Sequence, residues 1–447
     1  MKTAVSLLIS IILMGGIAMA QGDEEWVRES VVERLVRYAK IDTQSKEDVD
    51  EFPSTQKQFD LARMLFKEMQ DLGLQDVRLD EKRCYVYATV SSNLAAEEAE
   101  GIPAIGFIAH MDTSSAVNAT NVQPVIHRNY QGGDIVLPGD PKQVITVKHN
   151  PDLLDHIGSD IVTSDGTSLL GGDDKAGIAE ILTAVEYLLK HPEIKRGNLK
   201  IAFTPDEEVG KGTQYFDIDQ FGARYAYTID GGRLGEIGDE TFNAKAAIVT
   251  FTGKNTHPGY AKNIMVNSMY AAAHFLSLFS EVARPETTEK REGYLHPYDL
   301  VGNEEQTRLK ILLRDFEKPG MELKAERLEE MVAVTRAKFP KTSIKMEIRD
   351  SYSNMNEILR LHPEVSLFAE QAVKQAGVKP VKKPVRGGTD GSRLSFMGLP
   401  TPNLFTGNRN PHSKIEWVSA DAMVKSVKTI VNLARIWAEK QSAVGSQ

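Results

Sequence analysis

Cysteine is nearly absent: the 447-residue chain holds one, Cys84. A single thiol excludes an internal disulfide framework and any cysteine-based zinc site, so metal ligands must come from histidine, aspartate and glutamate. An excess of positive charge is also missing. The formal net charge is −9, whereas phosphate binding needs a basic surface, so nucleic acid is not an expected partner. After the first twenty residues no apolar run is long enough to span a bilayer. Internal repeats and low-complexity tracts are lacking as well. What is present is an ordinary globular composition, 41% hydrophobic and 26% charged, in a chain too long for one hydrophobic core.

The amino terminus stands apart. Lys2 precedes an apolar run from Ala4 to Met14, and Ala18-Met19-Ala20 has the small residues of a signal-peptidase site. The expectation is a signal peptide over 1–20, a mature start at Gln21, and a periplasmic or secreted protein without stable membrane association. An uncleaved anchor is the alternative, and a cytoplasmic protein follows if the segment is misread.

Further on, Trp26, Val27, Val31, Val32, Leu35 and Tyr38 are spaced for an amphipathic helix between Glu24 and Lys40, and a second such helix fits Ser54 to Leu72. Ile102 to Ala109 is a continuous apolar run, as in a strand buried on both faces, and it delivers His110-Met111-Asp112 at its carboxyl end. A helix from Ala176 to Leu189 follows Gly171-Gly172-Asp173-Asp174-Lys175. Ile201 to Thr204 reads as a strand that Pro205 stops, which leaves Asp206, Glu207 and Glu208 in the loop beyond it. Tyr225 to Ile229 is another buried strand and ends in Asp230. Near Thr241 the pattern changes to a strand–helix–strand–helix–strand block ending at Asp350, with a highly charged helix from Leu323 to Lys338. Buried helices and strands resume at Pro363, and an amphipathic helix from Ala420 to Lys440 closes the chain. The simplest organisation is an α/β domain, residues 21–240 and 353–447, interrupted by an α+β insertion at 241–352.

Five chain-separated groups, His110, Asp173, Glu208, Asp230 and His412, stand just after an apolar strand, at a helix start or in a polar loop. Imidazoles and carboxylates without cysteine are the donor set of a catalytic zinc or mixed divalent site. A pair of divalent ions would also relieve repulsion among the adjacent acids at 206–208, whose other reading is a solvated acidic turn. Asp112 lies two residues after His110, on the same side of an extended segment, where a carboxylate can orient the imidazole. His127, His156, His191, His274 and His296 have no supporting motif and read as surface or packing residues.

His110-Met-Asp-Thr113, Leu170-Gly-Gly-Asp-Asp-Lys-Ala-Gly177, Thr204-Pro-Asp-Glu-Glu-Val-Gly210 and Ile229-Asp-Gly-Gly232 resemble, in order, the signature of the di-zinc exopeptidases. That family includes aminoacylases, succinyl-diaminopimelate desuccinylase and glutamate carboxypeptidase. Thr256-His-Pro-Gly259, Leu313-Arg-Asp-Phe316, Arg386-Gly-Gly-Thr-Asp-Gly391 and Asn403-Leu-Phe-Thr-Gly407 are similar to its peptidase T branch of tripeptide aminopeptidases. The likeness extends over nearly the whole chain after residue 20. It implies a mixed-sheet catalytic domain with an inserted lid, and two divalent metal ions, with zinc the expected metal.

Carried over by position, His110, Asp173 and Asp230 would hold one metal, and Asp173, Glu208 and His412 the other, with Asp173 as the bridge. Asp174 would open the helix. Glu207 would be the general base acting on a metal-activated water, and Asp112 its catalytic companion behind His110. His257, Arg314, Arg386 and Asn267 would contact the peptide, with Asn354 a further polar candidate. The implied partner is a small peptide, and a homodimer is compatible because in some relatives the lid histidine serves a neighbouring subunit. Enzymes of this branch are generally cytoplasmic, which conflicts with the export expectation. Other readings are a dipeptidase, carboxypeptidase or amide deacylase of the same family, or a non-catalytic peptide-binding protein.

Overall fold

The computed structural model describes residues 19–442. Its centre is an eight-stranded mixed sheet in the order Gln75–Leu79, Val86–Val90, Leu199–Thr204, Ile105–His110, Tyr225–Gly231, Asn403–Phe405, Glu236–Gly238 and Val381–Lys382. The four strands from Leu199–Thr204 to Asn403–Phe405 run parallel. Their carboxyl ends therefore meet along one edge, where open α/β sheets place their sites.

The apolar run at 102–109 becomes the strand Ile105–His110, and all six of its residues are buried. Beside it lies the helix Gly172–Lys190, apolar on most of its circumference and packed on the sheet and on the helices Gln21–Ala39 and Ala420–Ser442. Gly177 permits that contact, since a Cβ there would stand 1.9 Å from the Ile229 carbonyl oxygen. Asp173 and Asp174 have non-helical backbone angles, so the regular helix begins only after them. Asp174 thus does not sit in a regular first turn as the sequence implies.

Residues 113–160, rich in Asn, Gly, Pro and Asp, contribute the short strand Pro124–His127 to a four-stranded antiparallel sheet with Ile161–Ser164, Trp417–Ser419 and Asn408–Arg409. The loop 410–416 leaves from this second sheet.

Residues 243–352 form a third sheet in the order Tyr294–Gly302, Gln306–Asp315, Asn243–Thr252, Ser343–Tyr352. The helices Ser268–Ser277 and Lys318–Lys338 cover one face, around Val249, Phe251, Phe275, Ile311, Leu328 and Met331. The edge strand Tyr294–Gly302 is not evident in the sequence. Pro297 and a register shift between Pro297 and Asp299 break its alternation, which an edge strand tolerates and a central one does not.

Among the described residues, no helix is long and apolar enough to cross a membrane. Residues 1–18 of the expected signal peptide lie outside the described residues. Met19 packs against the main core, and the Ala20 carbonyl accepts the Glu24 amide as the first helix begins.

Candidate metal centre

The parallel edge gathers all five expected ligands. His110 ends its strand with Nε2 at 3.1 Å from Asp173 Oδ1 and 3.7 Å from Asp230 Oδ1. On the other side, His412 Nε2 stands 3.3 Å from Asp173 Oδ2 and 2.8 Å from Glu208 Oε2. Asp173 therefore turns one carboxylate oxygen to each histidine, the disposition a bridging carboxylate needs.

Asp112 is fully buried behind this cluster. It accepts the Glu207 amide at 2.9 Å and the Glu208 amide at 3.2 Å, and stands 3.4 Å from His110 Nδ1. The Asp112 carbonyl oxygen is the hydrogen-bond partner of His110 Nδ1 at 3.0 Å, so one residue fixes the imidazole through its backbone and the acidic loop through its carboxylate. Asp206 points away, with φ at +55°. Its oxygens accept the Ser54 amide and hydroxyl at 2.5 Å each and Gln58 Nε2 at 2.7 Å. The three adjacent acids have separate surroundings: Asp206 anchors the loop, Glu208 joins the histidines, and Glu207 lies between.

One residue emerges that the sequence does not mark. Glu416 is buried, and accepts the amides of Leu170, Gly171 and Asp173 at 2.8–2.9 Å and Asn408 Nδ2 at 3.0 Å. It shapes the turn that presents Asp173, where Gly171 is left-handed at φ +77°. A charged residue between Ile415 and Trp417 was the available signal. Asp174, expected only to open the helix, also reaches the cluster. Its Oδ2 accepts the His110 amide at 3.2 Å, and it can form a ligand group with His110 and Asp230, alternative to the group His110, Asp173 and Glu208.

The electrostatics fit a cation-binding centre. Burial, with the Asp173 charge added, pushes Glu208 up to about 7 despite its bond to His412. Burial does the same to Asp230, also to about 7. Glu207 and Asp174 are raised well above the usual carboxylate range, burial again leading. Burial opposes ionisation of Asp173 too, but hydrogen bonds from His110 and His412 hold it below that range. Hydrogen bonds to Asp173 and Glu208 lift His412 to about 10. Protons on these groups stand where positive charge is required. Buried Glu208 Oε1 and Asp174 Oδ1 have no hydrogen-bond partner, and a buried carboxylate oxygen is costly without one. The donor set and its orphaned oxygens fit divalent metal.

Among the described residues none of the four expected substrate contacts bonds to the five clustered groups, and of the four only Arg386 lines the cleft beside Asp173 and Asp230. His257 is exposed at the turn Pro258–Tyr260, its Nδ1 accepting the Gly259 amide at 3.1 Å. Asn267 caps the helix Ser268–Ser277 through the Met269 amide. Arg314 donates to the Leu313 and Lys245 carbonyls at 2.9 and 3.2 Å. Arg386 is committed to protein backbone, donating to the carbonyls of Lys290, Glu292 and Thr288 and to the Thr288 hydroxyl. Asn354 braces the root of the insertion, receiving the Thr241 amide and donating to the Phe316 carbonyl.

A cleft of about 780 Å³ opens from Asp173 and Asp230 toward Lys290, Arg291 and Arg386. It lies between the sheet edge and the inserted block, and is large enough for a short peptide.

Comparison with known proteins agrees with this geometry. Residues 170–436 match the family described as Peptidase family M20/M25/M40. A Peptidase T from Clostridium perfringens is 46% identical over 412 residues, covering 92% of this chain and 100% of the relative. A Peptidase T from Desulfitobacterium hafniense is 47% identical over 413 residues, 92% of this chain and 99% of the relative. The crystal structure of aminopeptidase PepT from Bacillus cereus has a TM-score of 0.69 at 20% identity, covering 92% of this chain and 99% of that one. A tripeptidase from Staphylococcus aureus gives 0.71 at 19%, covering 92% and 98%. These structures share the α/β mixed-sheet fold.

The matches also correct one expectation. A periplasmic or secreted location does not hold, because the relatives matched from end to end are Peptidase T enzymes, the branch whose resemblance implies a cytoplasmic place. The segment that prompted the export reading lies almost wholly outside the described residues, and Met19 and Ala20 belong to the fold.

Proposed function

The chain belongs to the M20/M25/M40 peptidase family, and on that footing we propose that it is a metal-dependent aminopeptidase that releases the N-terminal residue from tripeptides. The observation that carries the reading is Asp173 with one oxygen toward His110 and the other toward His412. We assign His110, Asp173 and Asp230 to one ion, and Asp173, Glu208 and His412 to the second. Imidazole and carboxylate donors without thiolate suit zinc.

Two such ions, when bound, lower the pKa of water and polarise a carbonyl. The chain's residues do the rest. Glu207, with its affinity for a proton raised by burial, takes the proton from the attacking water and returns it to the leaving nitrogen. Asp112 keeps the base in register by holding its amide. The block 241–352 acts as a lid over the cleft, excluding water as it closes. His257 reaches the developing oxyanion on closure, and Arg314 and Asn267 meet the peptide from the lid. In the described conformation Arg386 serves the lid's backbone instead.

Release of alanine from Ala-Ala-Ala with added zinc tests this. Glu207→Ala is expected to keep its metal content and lose turnover by about 10²-fold or more, whereas Glu208→Ala also loses metal. A folded, zinc-loaded wild type that releases no alanine refutes the proposal. Equal turnover of dipeptides and N-acetyl amino acids refutes the tripeptide assignment alone.

A further inference from the structure

Three carboxylates line the cleft: Asp173, Asp230 and Glu236. The first two belong to the proposed metal centre, and the third stands outside it. Glu236 opens the strand Glu236–Gly238, which pairs with Asn403–Phe405, the neighbour of Tyr225–Gly231. Its Oε2 lies 3.3 Å from where a Cβ on Gly232 would stand. This oxygen thus packs against Gly232, two residues after Asp230 and just past the end of its strand. Its Oε1 accepts Lys383 Nζ at 2.9 Å, with Glu236 16% exposed and Lys383 58%. A flexible, largely exposed lysine can give way to another cation.

A substrate cleaved after its first residue carries a protonated amine one carbon from the scissile carbonyl. That amine enters the cleft beside the metal centre, where a charge left without a partner is costly. Of the other acids nearby, Asp112 holds two loop amides, Asp206 holds Ser54 and Gln58, and Asp390 accepts Thr204 Oγ1 at 2.9 Å through one oxygen while the other is buried without a partner. None of those three lines the cleft. We infer that Glu236 receives the free α-ammonium group of the peptide and so restricts the site to substrates with unblocked amino termini. This rests on the aminopeptidase reading and names the residue that makes it one.

The test compares Ala-Ala-Ala as substrate with propionyl-Ala-Ala, which has the same shape without the amine, as competitive inhibitor. In Glu236→Gln the KM for Ala-Ala-Ala is expected to rise about 10- to 100-fold, the worth of a charge-assisted hydrogen bond. Inhibition by propionyl-Ala-Ala and metal content are expected to stay near wild type. Lys383→Met, which leaves the carboxylate in place, is expected to keep the preference for the free amine. Parallel weakening of both ligands, loss of metal in Glu236→Gln, or loss of the preference in Lys383→Met overturns the inference. An active wild type whose Glu236→Gln variant still prefers the amine sinks this inference alone. A wild type that releases no alanine sinks the aminopeptidase reading, and the inference with it.

Discussion

Glu180 shows what a single buried acid does outside the metal centre. It lies on the helix Gly172–Lys190, fully buried, with Ser426 Oγ donating to its Oε2 at 2.5 Å and its Oε1 unpartnered. Burial drives its pKa well above 4.5, against the smaller effect of Ser426. The folded protein therefore keeps the proton that the unfolded chain releases above about pH 4.5. Its stabilising share is fully present below that pH and falls as pH rises toward the folded-state pKa, by about 1.4 kcal/mol per pH unit. Gln imitates the neutral acid at every pH. Glu180→Gln is expected to be progressively more stable than wild type from pH 5 to pH 7, read by urea denaturation at both. A difference that does not change with pH would assign its effect to packing alone. Glu416 differs: its four donors work against burial, which nonetheless raises it to about 7. Glu416→Ala would leave the Leu170, Gly171 and Asp173 amides without acceptors. Zinc affinity, measured by competition with a chelator, is expected to fall about 10- to 100-fold, the usual consequence of losing a residue that orients a ligand. Unchanged affinity would show that the turn holds without it.

At the scale of elements, the segment 386–393 links two parts of the site. Arg386 binds the backbone of 288–292 and lies over the rings of Phe242 and Tyr294. Four residues later Asp390 accepts Thr204 Oγ1, and Arg393 donates to the Gly210 carbonyl. The loop that borders the cleft and the loop that carries Glu207 are thus held by one strap. Arg386→Lys offers one ammonium where a planar fork served three carbonyls. It is expected to speed thermolysin cleavage within 284–293 and to lower turnover; cleavage at the wild-type rate would deny the strap its part. This contact was not legible in the sequence, where an arginine before Gly387-Gly388 reads equally as a carboxylate clamp. His110, Glu208 and Asp230 were legible because they follow apolar strands whose ends the parallel sheet brings to one edge, whereas Asp173 at a helix start and His412 in the loop 410–416 were legible only through their motifs. Asn267 and Asn354 show the limit of such reading. A polar side chain in a family motif serves a helix cap or a lid root as readily as a substrate, and only the tertiary contacts separate these uses.

At the scale of the whole molecule, the two largest hydrophobic cores among the described residues share no residue. The main core joins the helices at 21–39, 172–190 and 420–442 to the eight-stranded sheet, and the second lies wholly within 243–352. Polar bonds among Thr241, Asn243, Phe316 and Asn354 brace the root of the insertion. A junction held by hydrogen bonds transmits less cooperativity than a continuous apolar core, and each body has enough apolar packing to melt as its own unit. All five proposed ligands belong to the main body. Metal that binds only the folded main body stabilises it by mass action, about 2.7 kcal/mol at a hundred times Kd, and leaves the insertion to its own core. Calorimetry is therefore expected to resolve two transitions. Zinc should move one upward with concentration, chelation should return it, and the other should stay in place. A single transition that shifts as a whole with zinc would mean that the lid and the sheet edge unfold as one unit.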